Sequence, residues 1–89
     1  MNGKVFTQRF NRELAALDFP TDIKEKVIAV NKVFGLKKQI ANDMIFGYIF
    51  PTSNQLLHIA RILDVCPAWL CGDTERKRTF PEKELISEE

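Results

Sequence analysis

The chain has 89 residues, 45% of them hydrophobic and 28% charged, with a formal net charge of +1. That length suits one domain, and that composition belongs to a chain with a core rather than to a disordered one. No apolar run approaches the ~18–20 residues that a membrane-crossing helix needs, so no membrane partner is expected.

Arg9 and Arg12 follow so closely on the N-terminus that no signal-peptide apolar stretch is read there. Cys66 and Cys71 stand five apart with no second pair, and His58 is the one histidine. A zinc site built from Cys and His needs four ligands, so neither a metal nor a cofactor is expected. Two cysteines beside this much core read as free thiols of a reducing compartment, hence a cytoplasmic protein.

The periodicity is helical throughout. Phe6, Phe10, Leu14 and Leu17 are spaced 4, 4 and 3, which predicts a first helix over Lys4 to Leu17. Asp18-Phe19-Pro20 ends it, because a residue before proline is biased out of the α region. Asp22-Ile23-Lys24-Glu25 reads as a capping box. It opens a second helix with Ile23, Val27, Val30 and Phe34 along one face, stopped at Gly35 by a left-handed position. The third helix starts at Lys37 or Lys38 and runs to about Phe46, with Ala41, Met44 and Ile45 inward and Gly47 closing it. Thr52-Ser53-Asn54-Gln55 is a second capping box. It opens a fourth helix with Leu56, Ile59, Ala60 and Leu63 on one stripe and Leu57 beside it. Pro67 suits the first position of a short fifth helix, with Trp69 and Leu70 facing the core and Gly72 ending it. The expectation is an all-α fold over residues 1–72. A charged tail follows over residues 73–89, with Phe80, Leu85 and Ile86 as its apolar anchors.

Charge is unevenly placed. Residues 1–61 carry nine Lys and Arg against five Asp and Glu, a formal +4, whereas residues 62–89 carry four against seven, a formal −3. A polyanion would be drawn to the first part. The plain alternative is that these charges solvate helix faces.

Two helices joined by a three-residue turn with Gly35 form a helix-turn-helix arrangement. The second helix must project far enough to enter a DNA major groove about 12 Å wide, while the first crosses the backbone. Leu36 pins the turn to the core. The polar face of the third helix offers Lys37, Lys38, Gln39, Asn42 and Asp43. Amides pair with adenine, lysine with guanine or phosphate, and a carboxylate with cytosine.

At these residues the chain resembles the λ-repressor/Cro-like (XRE-type) helix-turn-helix family, its phage CI-like repressors in particular. The resemblance covers about residues 6–72. It rests on Val30, Phe34-Gly35-Leu36, Ala41, Met44, Gly47 and the block PTSNQLLHIARILDVCPAWLCG over residues 51–72. Gly47 follows Gly35 by twelve residues, and Pro51 stands four further on. The resemblance implies a five-helix λ-repressor-like domain with the helix-turn-helix in helices 2 and 3. It also implies a homodimer on an inverted-repeat operator in double-stranded DNA. Dimer contacts in similar proteins come from the region of helices 4 and 5, which makes Val65, Cys66, Pro67, Ala68 and Leu70 the candidates. The chain departs from the family pattern at four places. Asn31 stands where alanine is usual, Val27 where glutamine is frequent, Lys37 where a serine or threonine caps, and Tyr48-Ile49-Phe50 where basic residues are common.

Each candidate has a bland counterpart. Lys37, Lys38 and Gln39 contact DNA or solvate a helix start. Two lysines at a helix N-terminus oppose the macrodipole, which favours the first. Asn42 contacts a base or phosphate, and Asp43 does so or pairs with a lysine. Ile40 points outward toward a thymine methyl or covers the turn. Tyr48 reaches a phosphate or the partner subunit, or joins the core. Thr52 and Asn54 lie at a helix N-terminus suited to phosphate, with capping as their plain role. Arg76-Lys77-Arg78 read as solvated tail, His58 as surface, and Trp69 as core.

Three functions follow: a DNA-binding transcriptional repressor, a protein-interaction module on the same scaffold such as an antitoxin or adaptor, and an enzyme. The last is disfavoured. Nothing at recognisable spacing orients His58 as a base, and the glycines at 3, 35, 47 and 72 form no phosphate loop.

Overall fold

A computed structural model describes residues 2–81. Those residues form five helices: α1 (Gly3–Ala16), α2 (Ile23–Phe34), α3 (Lys38–Phe46), α4 (Ser53–Leu63) and α5 (Pro67–Leu70). The described residues hold no strand, and no helix among them is long and apolar enough to cross a membrane.

The helix starts follow local chemistry. The Asn2 side chain accepts from the Lys4 and Val5 amides at 3.0 and 3.2 Å. The α4 box is complete, with the Gln55 amide donating to Thr52 Oγ1 at 3.1 Å and the Thr52 amide donating to Gln55 Oε1 at 2.9 Å. At α2 only half of the expected box forms: Asp22 accepts from the Glu25 amide at 3.1 Å.

The helix ends share one device. At α1 the amides of Asp18 and Phe19 donate back to Ala15 and Leu14, both at 3.0 Å. This is a Schellman closure, with Asp18 at φ 64° in the left-handed position usually held by glycine. The stop is therefore Asp18, two residues before Pro20. It leaves Leu17 outside the stripe that periodicity assigns it, 55% exposed. Phe19, turned back by the closure, packs on the core in its stead. Asp64 at φ 58° closes α4 in the same way, with Val65 donating to Ala60 at 3.0 Å. Short polar side chains tolerate this conformation better than most.

All five helices feed one core. Its spine is a run of phenylalanines with ring centroids 5.4–6.2 Å apart: Phe50 on Phe6, Phe6 stacked on Phe10, Phe10 edge-on to Phe34, and Phe34 tilted on Phe19. Such pairs add about 0.5–1.5 kcal/mol each beyond the area they bury. The run ties α1 to the end of α2 and to both flanking loops. Ile40, expected to point outward, is half-buried and packs against this core.

The stretch read as a tail is not free over residues 73–81. Arg9 donates to the carbonyls of Trp69 and Thr74 and meets Glu75 at 3.0 Å. Lys77 reaches the buried Glu13 carboxylate at 2.6 Å. Both cations lie over the Trp69 ring, with Arg9 at 4.8 Å and Lys77 at 5.1 Å from its centroid. Further on, the Cys66 amide donates to the Arg78 carbonyl at 2.7 Å, and Phe80 lies under Arg61 at 4.8 Å. Leu85 and Ile86, expected as further anchors, lie outside the described residues.

Gly35 and Gly47 separate two costs of replacing a glycine. Both have positive φ, 70° and 81°. A Cβ at Gly35 meets nothing within 4 Å, whereas at Gly47 it lies 3.0 Å from Thr7 Oγ1. Gly35→Ala should cost about 1–2 kcal/mol of backbone strain alone, a melting point lower by roughly 4–16 °C in a domain of this size. Gly47→Ala should cost more, because overpacking adds to the strain. Thermal melts of the two variants check both the size and the order.

Candidate functional site

Of the residues singled out in sequence, Lys37, Lys38, Gln39, Asn42 and Asp43 lie on α3 and at the corner that joins it to α2. These two helices pack on each other more extensively than any other pair among the described residues. Three hydrogen bonds close the corner. The Gly35 amide donates to Asn31 O at 3.0 Å. The Asn31 side-chain amide donates to Leu36 O at 2.7 Å. His58 Nε2 lies 2.7 Å from Phe34 O; a carbonyl only accepts, so this nitrogen carries the proton. Asn31, the residue out of place in the resemblance, is therefore a part-buried amide that closes the turn one residue after the glycine.

From this corner α3 presents a polar stripe. Lys37, Lys38 and Gln39 are exposed, and Asn42 and Asp43 are half-buried. Asp43 pairs with amides rather than a lysine: Gln39 Nε2 donates to its Oδ1 at 3.0 Å and Asn42 Nδ2 at 3.3 Å. The carboxylate therefore gathers the two amides into one hydrogen-bonding group along one helix face. Lys37 is the N-cap of α3 and offers no side-chain oxygen to the first-turn amides. Those N–H groups, with Lys37 and Lys38 beside them, suit an anion's oxygens.

Two clefts flank the stripe. One, of about 330 Å³, is lined by Ile23, Lys24, Val27, Ile28, Lys38 and Asn42, and so sets α2's Lys24 beside α3's polar face. The other, of about 420 Å³, is lined by Gly3, Lys4, Thr7, Gln8, Phe46 and Gly47. Tyr48, for which core packing was one expectation, is instead 72% exposed and stacks on Phe46 at 5.6 Å. Thr52 and Asn54 stand apart from the stripe at the exposed start of α4, which packs on α2 and α5. The Thr52 hydroxyl is already engaged as a cap.

The dimer candidates divide. Val65 and Leu70 are 3% and 0% exposed, consumed by the chain's own core, and are not available to a second chain. Cys66, Pro67 and Ala68 are half-buried, and the Cys66 backbone is bonded to the segment at Arg78. Burial pushes the Cys71 thiol up from its ordinary value, against the lowering effect of the Asp73 amide, which keeps it a thiol and a poor nucleophile at neutral pH. Among the described residues, no three of His, Cys, Asp and Glu gather as a metal site would require.

Sequence reasoning did not single out Lys4, Lys24 or Phe46 as site residues, nor His58 as a cap. Phe46 had a signal, since it falls on the α3 face that carries Asn42 and Asp43; Lys24 had none, because only the packing of α2 on α3 brings it beside Lys38 and Asn42. Lys4 and His58 had none, because their partners come from other helices. No family model, curated protein or solved structure matches the chain.

The corner carries a direct test. Asn31→Ala, which places the family's usual residue there, should strand the Leu36 carbonyl and lower stability by about 1–3 kcal/mol. A urea midpoint equal to or above that of the parent would show that the amide contributes nothing to the turn.

Proposed function

We propose that the chain is a sequence-specific regulator that binds double-stranded DNA, a λ-repressor-like helix-turn-helix protein with α3 as its reading helix. The observation that carries this reading is the α3 stripe. Lys38, Gln39, Asn42 and Asp43 lie along one side of a helix whose other side is in the core, held at a fixed angle by the Gly35 corner. Amides and a lysine at this spacing supply donors and acceptors for base edges in the major groove. Lys37 and the open amides of the first turn suit the phosphates, and α2 would be the helix that crosses the backbone.

Binding as a homodimer would place two reading helices about 34–36 Å apart on an inverted repeat, and occupation of a promoter is the simplest route to repression. Val65 and Leu70 are buried in the chain's own core, whereas Pro67 and Ala68 retain some surface for such a dimer. A second reading, a module that binds a protein partner, draws support from Val33 and Leu57, large apolar side chains about half exposed on α2 and α4.

Selection from a random double-stranded library at near-physiological salt tests the first reading. The expected winner is an inverted repeat, with log K falling by about 0.9 per phosphate neutralised for each unit of log salt. Lys38→Ala combined with Gln39→Ala should abolish specific binding while leaving the melting temperature unchanged, since both side chains are exposed. Specific binding that survives both changes would remove α3 from the reading role. Binding to a protein at salt that dissolves a phosphate-based complex would favour the second reading.

A further inference from the structure

The polar stripe of α3 does not end at Asp43. Phe46 follows Asn42 by four residues and Asp43 by three, so it lies on the same face one turn on. It is 46% exposed and backed by the Tyr48 ring, stacked at 5.6 Å with 18° between the planes. A half-exposed phenylalanine stacked on a second, more exposed ring is an apolar surface turned to the outside. The cleft beside it is lined by Gly3, Lys4, Thr7, Gln8 and Gly47 as well as Phe46. That lining holds a cation, a hydroxyl and an amide, and no carboxylate. It suits an anionic partner with apolar groups next to its charges.

The geometry points to Phe46 as a specificity-determining residue that packs on the 5-methyl groups of thymine, with Lys4 on the neighbouring phosphate. This deepens the DNA-binding reading and rests on it. Lys38 and Phe46 are eight residues apart on one helix, about 12 Å at the α-helical rise. A reading helix lies within the groove, so the polar and the aromatic end of the stripe would meet different base pairs along it. Among base edges in that groove, only thymine presents a methyl group, and an aromatic ring meets it by apolar contact.

The test uses the full chain and the duplex chosen by selection, with each thymine replaced in turn by uracil, which lacks only the methyl. At one or two positions per half-site, uracil should weaken the parent protein about fourfold, the equivalent of about 0.8 kcal/mol per methyl group. Phe46→Ala should bind the thymine duplex more weakly and show no further loss with uracil there. Phe46→Leu, which keeps an apolar surface and guards against a folding defect, should retain part of the uracil penalty. Lys4→Ala should reduce the salt slope by about 0.9. If the parent binds its duplex specifically but is indifferent to every uracil, or if Phe46→Ala keeps the full penalty, this inference falls while the DNA-binding reading stands. A stack used for a protein partner would give that flat uracil scan. If no duplex is selected at all, the reading and the inference fall together.

Discussion

Phe34 and the two residues after it form the corner on which the remaining structure depends. The Phe34 ring is clamped between Phe10 and Phe19 inside the core. Its carbonyl is held by His58 from α4. The next residue, Gly35, reverses the chain at a φ that most residues resist, and Leu36 then returns to the core with its own carbonyl taken by Asn31. The side chain fixes where α2 ends, and the backbone fixes the direction in which α3 leaves. The corner thus converts core packing into the placement of Lys38, Gln39 and Asn42 on the exposed side of α3.

The charges sort themselves around that corner in a way that counting along the sequence does not show. Arg9 counts toward the basic first part of the chain, yet it is spent on Trp69, Thr74 and Glu75. Lys77 belongs to a charged segment, yet it neutralises Glu13, a carboxylate whose burial would be costly without a partner. The strap over residues 73–81 thus pairs the charges of Arg9 and Glu13 on α1. The lysines at 4, 24, 37 and 38 remain exposed, and three of them line the two clefts beside α3. The strap is also why a dimer surface cannot be read from α5 alone: Cys66, at its start, is bonded to the strap, and Leu70 is sealed in the core.

What could be read in advance is what arises within about five residues along the chain. The Thr52–Gln55 box, the glycine corner and the inward set Ala41, Met44 and Ile45 all obey local hydrogen bonding or the 3.6-residue period, and all are present. The polar face of α3 follows for the same reason, as the complement of that inward set. Even the misplacement of Leu17 is a local matter, since it turns on whether Asp18 or Pro20 stops α1. The sequence by itself therefore determined the helices, their order and the chemistry of the exposed stripe. Only tertiary structure decided which charges are free and which apolar residues are available to others. It joined Arg9 to Trp69 across 60 residues, Lys77 to Glu13 across 64 and His58 to Phe34 across 24. Those pairings depend on the angles at which five helices close over a shared aromatic spine, and no periodicity within one helix carries that angle.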